Sequence, residues 1–423
     1  MSLAACGSCS KDDPGASADG GQPAPVTSGT VVAEPLPRCR RGAERLAIPG
    51  DEATVGDVAI GPAGLLAGVV RVNGGKRVAS MLRAPLTLAE ATMTDLGVPL
   101  GDDPPPSPRW NGSKPWVAYI AGRSADGGTK LRELVVKEVV PEGAGTEKKP
   151  LSIFQQADES TAFDLAWAEN GAGLVAWDED APVVLEAGVP AKKEATTRGV
   201  VKVQALTADA APRTASPDTS DAESPRLVAK PGGGFWLAWM ARRAEEEPSG
   251  IEGPGEPRAF RWIEVLALSG SGEPQGKPMR VSSEKGRAVA FELARSGSDL
   301  VIMLQDEIAA SEGGGARIVR YKLGENGKPE AADVVKDGVG HALADLVPTA
   351  SGEPARWLAW SDTSEHARLT LLGPGLVAQG RASSEPTLDN TRILASSDDT
   401  LFALAATDKP TRPQPELLRF VCR

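Results

Sequence analysis

The sequence contains no run of 18 or more apolar residues, so no part of it is expected to cross a bilayer as a helix. Histidine is scarce, since His341 and His366 are the only two, and their wide separation in sequence does not require a metal site. The acidic run at 178–180 lacks the alternating ligands and the central glycine of a calcium loop. We therefore assign no metal and no cofactor, and we expect structural or surface roles for both histidines.

Basic runs and catalytic motifs are also missing. The 423 residues carry a formal net charge of −11, and no run of Lys and Arg is long enough to overturn it, which excludes nucleic acid as a partner. The sequence has no G-x-S-x-G elbow, and Gly232, Gly233 and Gly234 precede neither a Lys-Ser/Thr pair nor a helix. The two carboxylates of a glycosidase would come from distant strands, so the sequence names no catalytic residue.

A short apolar segment, usually of the form Φ-Φ-Ala-aromatic, recurs seven times. The copies begin at residues 65, 116, 174, 236, 300, 357 and 401, at intervals of 44 to 64 residues. A strand pattern and a turn precede each copy, although the second, "SPRWNGSKP", is irregular, and one or two further strands generally follow. Four antiparallel strands per repeat are typical of propeller blades, so we predict an all-β, seven-bladed β-propeller.

The two ends of the chain suggest how such a ring closes. The last repeat lacks its outermost strand, whereas a surplus strand, "ERLAI", lies at 44–48 before the first repeat. Pairing this early strand with the final one, "ELLRFV", would complete the last blade. Cys39 and Cys422 flank these strands, so antiparallel pairing would bring them within disulfide range, which also implies an oxidising compartment.

The tryptophans recur in fixed columns of the repeat. Trp177, Trp239 and Trp360 share one column, with Tyr119 in the matching place of the second repeat. Trp116, Trp236 and Trp357 share another. Residues that recur at one position of every unit fill the space between units, so we interpret both columns as packing.

Two connections between second and third strands are long, at about 179–199 and about 242–258. They belong to neighbouring repeats and should therefore lie side by side, and long loops on a rigid scaffold are where binding tends to reside. Solvated insertions are the alternative interpretation. The candidate binding residues on these loops are Lys192, Lys193, Arg198, Arg242, Arg243 and Glu246.

The first 38 residues differ in composition from the rest. Residues 3–6 read Leu-Ala-Ala-Cys, which resembles the lipobox of bacterial lipoproteins, although no charged and apolar leader precedes it. The following Gly/Ser/Pro-rich stretch is typical of a flexible tether. We expect residues 1–38 to be the tether, lipidated at Cys6, and residues 39–423 to be one domain. If Cys6 is not lipidated, a bond between Cys6 and Cys9 is the alternative.

The paired strands "GAGLVAW" and "GGGFWLAW" resemble those of loosely repeated bacterial propeller lipoproteins, over residues 39–423. This resemblance implies an exported monomer of the bacterial cell envelope, lipid-anchored or secreted, that touches the membrane only through its anchor. The leading hypothesis is a non-catalytic scaffold that binds a protein, peptide or glycan. The alternative is an extracytoplasmic carbohydrate-active hydrolase or lyase, and a purely structural domain is a third possibility. Two or three Asp or Glu side chains converging with a His or Tyr at the channel mouth would favour the enzyme, whereas a mouth lined by Gly, Ala and Val would count against it.

Overall fold

The computed structural model describes residues 39–99, 103–124, 130–140, 151–156, 162–182, 197–207, 209–243, 260–307, 316–324, 329–330, 333–337, 340–346, 356–361, 367–372, 378–384, 391–397, 400–406 and 415–422. All of them belong to the unit Leu36–Arg423. The elements of this described part are strands, and none of it forms a helix long and apolar enough to span a membrane. The expected all-β class is therefore confirmed.

Twenty strands form five four-stranded antiparallel sheets in chain order. The first sheet contains β2 (Asp51–Gly61), β3 (Gly64–Asn73), β4 (Lys76–Ala84) and β5 (Thr92–Gly97), and the second contains β6 (Ser107–Asn111), β7 (Lys114–Ser124), β8 (Lys130–Glu138) and β9 (Leu151–Gln156). The third contains β10 (Phe163–Trp167), β11 (Gly173–Pro182), β12 (Thr197–Ala205) and β13 (Arg213–Thr214). The fourth contains β14 (Ser220–Ala229), β15 (Phe235–Arg243), β16 (Trp262–Leu268) and β17 (Met279–Arg280), and the fifth contains β18 (Ala288–Ser296), β19 (Asp299–Glu307), β20 (Ala316–Leu323) and β21 (Asp333–Asp337).

The remaining eight strands form one larger sheet from the two ends of the described chain. Its members are β1 (Cys39–Ala47), β22 (Gly340–Leu346), β23 (Arg356–Ser361), β24 (Ala367–Leu372), β25 (Ala378–Ser384), β26 (Thr391–Ser397), β27 (Thr400–Ala406) and β28 (Pro415–Cys422). Their order is β1-β28-β27-β26-β22-β23-β24-β25, and the one parallel pairing, between β22 and β26, joins two antiparallel quartets.

The early strand pairs with the final one, as the ends of the chain suggested. Strand β1 runs antiparallel to β28, with Cys39 opposite Cys422 and Ala47 opposite Glu416. Cys39 is buried, whereas the side chain of Cys422 lies outside the described residues. The disulfide between them therefore stays a prediction, and so do the tether, Cys6 and Cys9, which also lie outside the described part.

The recurrent apolar segment lies on the second strand of every quartet, namely β3, β7, β11, β15, β19, β23 and β27. In the well-described sheets these segments are almost fully buried: the residues at 65–67, 174–177 and 300–304 are at most 1% exposed. Such strands are continuously apolar because both faces of the sheet are covered by neighbouring sheets. The irregular second copy also fits this plan, since "SPRWN" is strand β6, paired with β7.

The first strands of successive sheets lie next to one another. Strand β2 packs against β6 and β26, β10 packs against β6 and β14, and β14 packs against β18. We call these the inner strands. One approach is very close, because a Cβ atom on Gly68 of β3 would overlap the backbone carbonyl oxygen of Pro106, immediately before β6. Only glycine permits this contact between the first and second sheets.

Candidate functional site

One charged residue from each of five inner strands contributes to a row of alternating sign, which we call the inner charge row. The five strands are β2, β6, β10, β14 and β18, and adjacent members of this set pack together, as described above. Three carboxylates alternate with two guanidinium groups. In strand order the members are Asp57, Arg109, Asp164, Arg226 and Glu292.

Arg109 connects the first three sheets. Its Nη2 donates to Oδ1 of Asp164 at 2.8 Å, and its Nη1 lies 3.4 Å from Oδ2 of Asp57. Asp57 Oδ2 also accepts a hydrogen bond from the Ser107 hydroxyl at 2.7 Å. The Asp164 side chain is only 7% exposed, and its Oδ2 accepts the backbone N–H of Leu227 from the fourth sheet. Hydrogen bonds and ion pairs therefore fix the side chains of Asp57, Arg109 and Asp164.

Arg226 is held more loosely. Its Nε lies 3.8 Å from Oε1 of Glu292, and its side chain is 34% exposed. Burial alone would lower the pKa of Arg226, but the carboxylates of Glu292, Asp164 and Asp57 outweigh it and raise the pKa above its ordinary value. The guanidinium therefore stays charged. Its Nη1 donates to the backbone oxygen of Pro225 at 3.0 Å, and a guanidinium has further N–H donors beyond this bond and the long contact with Glu292.

The row has the groups that chemistry on a sugar polymer needs. Carboxylates can act as general acids or bases, and a fixed guanidinium can stabilise negative charge that develops on a substrate. Asp57 and Glu292 are about half exposed, so a ligand between the inner strands could reach them. The five inner strands present charged side chains. They do not present the surface of Gly, Ala and Val that would have counted against an enzyme.

A second polar region, which we call the β11–β14 cleft, lies where the third and fourth sheets meet. It has a volume of about 210 Å³ and is lined by Asp178, Asp180, Arg198, Gly199, Asp221, Ala222, Glu223 and Arg242. Of the binding residues expected from the sequence, the structure brings Arg198 and Arg242 together here. Lys192, Lys193 and Glu246 lie outside the described residues, as does the side chain of Arg243 at the end of β15.

The charged groups of this cleft are occupied by structural bonds. Arg198 donates to the backbone oxygens of Pro217 and Ser220 and pairs with Asp218 at 2.5 Å. Arg242 Nε pairs with Oδ2 of Asp221, also at 2.5 Å. Arg198 therefore fixes the connection that enters β14, whereas Arg242 pairs with its cross-strand neighbour Asp221 within the fourth sheet. The expectation that Arg198 and Arg242 bind a ligand stays a prediction.

The tryptophans and histidines noted in the sequence do not contribute to either polar region in the described part. Trp177 and Trp239 are at most 1% exposed, in agreement with packing. His341 lies on β22, with its side chain outside the described residues, and His366 lies outside them entirely. Within the described part no group of three or more His, Cys, Asp or Glu side chains is placed to hold a metal ion.

Sequence reasoning missed the inner charge row because its members are 235 residues apart from first to last, at 57 and 292. One signal was available. The tripeptide Ser-Pro-Arg occurs at 107–109 and again at 224–226, on the first strands of the second and fourth sheets. On β2, β10 and β18 the carboxylate of the row is in each case followed by an aliphatic residue. Aligning first strands instead of second strands would have revealed this alternation.

No protein-family model and no curated protein matches the sequence. Solved structures do resemble the fold. An ulvan lyase of polysaccharide lyase family 25 has a TM-score of 0.54 at 12% identity, covering 88% of this chain and 95% of its own. The polysaccharide lyase Uly1 has a TM-score of 0.50 at 8% identity, covering 90% and 99%. The β-propeller domain of the Trilobed protease from Pyrococcus furiosus is also similar, with a TM-score of 0.47 at 12% identity over 88% and 94%.

At these identities the likeness shows the fold alone, an all-β arrangement with propeller-like neighbours. The expectation of a non-catalytic scaffold that binds a protein, peptide or glycan is wrong in the light of these comparisons, because the two structures with the highest TM-scores among them are both polysaccharide lyases. The inner strands also carry ionisable groups, and not the Gly, Ala and Val that would have counted against an enzyme. The alternative expected from the sequence, a carbohydrate-active enzyme, is taken up under the proposed function.

Proposed function

We propose that the chain cleaves a polysaccharide between its inner strands, and that it does so as a lyase. The observation that carries the proposal is the inner charge row, which brings three carboxylates and two guanidinium groups from five sheets to one place. End-to-end similarity to two polysaccharide lyases supports it, since each match spans nearly the whole of both chains.

The chemistry favours a lyase over a hydrolase. A hydrolase needs two independent carboxyl groups, one of them protonated, on either side of the bond. Here Asp57 and Asp164 both pair with the single guanidinium of Arg109, so they are not two independent carboxyl groups. A lyase instead needs a base that takes a proton from the sugar carbon and a cation that stabilises the resulting anion. The carbon–carbon double bond then forms as the glycosidic C–O bond breaks, and the leaving oxygen takes up a proton. Glu292 can accept the proton from carbon, and Arg226 presents the cation.

The test is an activity screen of the purified full chain on acidic and neutral polysaccharides. Ultraviolet absorbance of the unsaturated sugar reports elimination, and new reducing ends report cleavage by either reaction. We expect both signals together on at least one polymer. Reducing ends without the unsaturated product would replace the lyase by a hydrolase, and no cleavage of any polymer by folded protein would contradict the proposal.

A matched pair of variants tests the site itself. Arg226→Met removes the loosely held guanidinium of the inner charge row, and we expect kcat/KM to fall by about 100-fold or more. Arg213→Met removes an arginine that pairs with Glu273 on an exposed surface, where both side chains are about half exposed. We expect this control to keep wild-type activity. Equal loss in both variants would contradict the role of the inner strands.

We further propose that the sheets form a closed, seven-bladed ring. The pairing of β1 with β28, the contact of β2 with β26 and the two quartets of the eight-stranded sheet support it. On this view β26, β27, β28 and β1 form one blade, and a disulfide between Cys39 and Cys422 locks it. Non-reducing peptide mapping of protein from its native compartment should recover this linkage, and two free thiols there would contradict the disulfide.

We propose that residues 1–38 tether this ring to the bacterial cell envelope through a lipid on Cys6. The Leu-Ala-Ala-Cys motif and the Gly/Ser/Pro-rich stretch support the tether. Labelling of growing cells with a fatty acid should mark the protein, and Cys6→Ser should abolish the label. Label that persists in this variant would refute lipidation at Cys6.

A further inference from the structure

The outermost strand of the eight-stranded sheet carries an unusual charge. Strand β1 lies at the end of the sheet order, paired with β28. Arg40, Arg41 and Arg45 all lie on it and are all exposed. We call these three residues the arginine edge. Three cations within six residues stand out on a chain whose formal net charge is −11.

The described structure gives the arginine edge no internal electrostatic partner. Within the described part, none of the three side chains forms an ion pair or a hydrogen bond. The one carboxylate on the same strand, Glu44, pairs instead with Arg419 of β28 at 3.2 Å. The positive charge of the edge is therefore not neutralised by the fold around it.

Protection of the sheet edge does not by itself explain this choice of charge. A charged edge strand resists pairing with another chain, but charge of either sign does this. Glutamate and aspartate outnumber lysine and arginine by 57 to 46 in the chain, yet these three exposed positions are all arginine. Arginine binds phosphate groups well because its planar guanidinium offers several donors.

We propose that the arginine edge docks the protein on an anionic phospholipid surface. The surface charge of such a membrane acts only within about one Debye length, roughly 8 Å at physiological salt, so carboxylates on other sheets do not cancel the attraction. The edge follows directly after the 38-residue tether in the sequence, so a lipid-anchored chain would present it to the membrane. This contact adds to the anchor-only membrane attachment expected from the sequence, and it does not rest on the proposed enzyme activity.

The test uses the full chain with Cys6→Ser, so that no acyl chain contributes to binding. Co-sedimentation is measured with vesicles of phosphatidylglycerol and phosphatidylcholine in equal amounts, and with vesicles of phosphatidylcholine alone. We expect binding to the anionic vesicles that weakens as salt is raised, and little binding to the neutral ones. Each arginine near the surface contributes a factor of about five, so replacing all three by Gln should weaken partitioning roughly 100-fold.

A matched control replaces three lysines by Gln, one on β4 and two on the connections before and after β17. Lys76, Lys277 and Lys285 are exposed, their side chains form no ion pair within the described part, and the change in net charge is the same. We expect this variant to bind anionic vesicles like the parent. The proposal fails if the parent does not prefer anionic vesicles, if the arginine variant still binds, or if the lysine variant loses binding equally. Thermal unfolding of each variant checks that it remains folded.

Discussion

Two buried tryptophans in the same column of the repeat should respond differently to the same substitution. Trp177 and Trp239 are both at most 1% exposed and lie on β11 and β15, the second strands of adjacent sheets. The indole Nε1 of Trp177 donates to Oε2 of Glu179 at 2.9 Å. The indole Nε1 of Trp239 is buried without a hydrogen-bond partner among the described atoms. The two indoles therefore match in burial, and the bond to Glu179 is present only at Trp177.

Replacement of either residue by Phe removes the same volume, so the cavity and transfer costs should be similar. Trp177→Phe also removes a hydrogen bond to the buried carboxylate of Glu179, which is 8% exposed as a residue. Hydrogen bonds to charged groups contribute about 1.5–3 kcal/mol. Lys202 still pairs with Glu179 and limits the loss. We expect Trp177→Phe to lower the free energy of unfolding by about 1.5–3 kcal/mol more than Trp239→Phe.

Urea unfolding, followed by fluorescence and circular dichroism, measures both variants against the parent. Coincident transitions and unchanged m-values are needed before the free energies are compared. Equal losses, or a larger loss for Trp239→Phe, would refute the reasoning. In that case both tryptophans would stabilise the protein by packing alone, and the hydrogen bond from Trp177 to Glu179 would add nothing to the free energy of unfolding.

Three further changes test other contacts. Gly68→Ala places a methyl group against the backbone carbonyl oxygen that immediately precedes β6, and this variant should not fold stably. Gly270→Ala is the control, because its Cβ would meet its nearest neighbour at 3.5 Å. Its melting temperature should stay near that of the parent. Asp164→Ala leaves a buried N–H of the fourth sheet unpaired and should cost about 2–4 kcal/mol in urea unfolding; a loss under about 0.5 kcal/mol would contradict this. Burial alone would raise the pKa of Asp95, but hydrogen bonds, chiefly from Arg71, lower it below 3.8. Because the pKa of Asp95 is lower in the folded state, its ionised form stabilises the native state above about pH 4. This contribution is lost as the pH falls through the folded-state pKa. The free energy of unfolding of Asp95→Asn should therefore depend less steeply on pH in this acid range.

The second strands could be predicted from the sequence because their burial is nearly complete. A strand covered on both faces must be apolar throughout, and the seven apolar segments therefore stand out from the rest of the chain. The pairing of β1 with β28 was also predictable, because one strand was surplus at one end and one was missing at the other. Both inferences depend only on local composition and on counting strands.

The inner charge row could not be predicted in the same way. Asp57, Arg109 and Asp164 become neighbours only after three sheets have packed, and no local pattern encodes the direction in which each side chain points. The β11–β14 cleft was partly predictable, since neighbouring repeats carried the two longest loops. The structure nevertheless shows Arg198 and Arg242 bonded to the chain itself, a use that loop length could not reveal.

The location of a bound product tests the central claim most directly. A crystal structure of the chain with an oligosaccharide produced from the polymer that it cleaves would show where the sugar lies. The account predicts sugar oxygens within hydrogen-bond distance of Arg226 and of at least one carboxylate of the inner charge row. A product bound only in the β11–β14 cleft or on the outer strands, with the inner strands unoccupied, would contradict it.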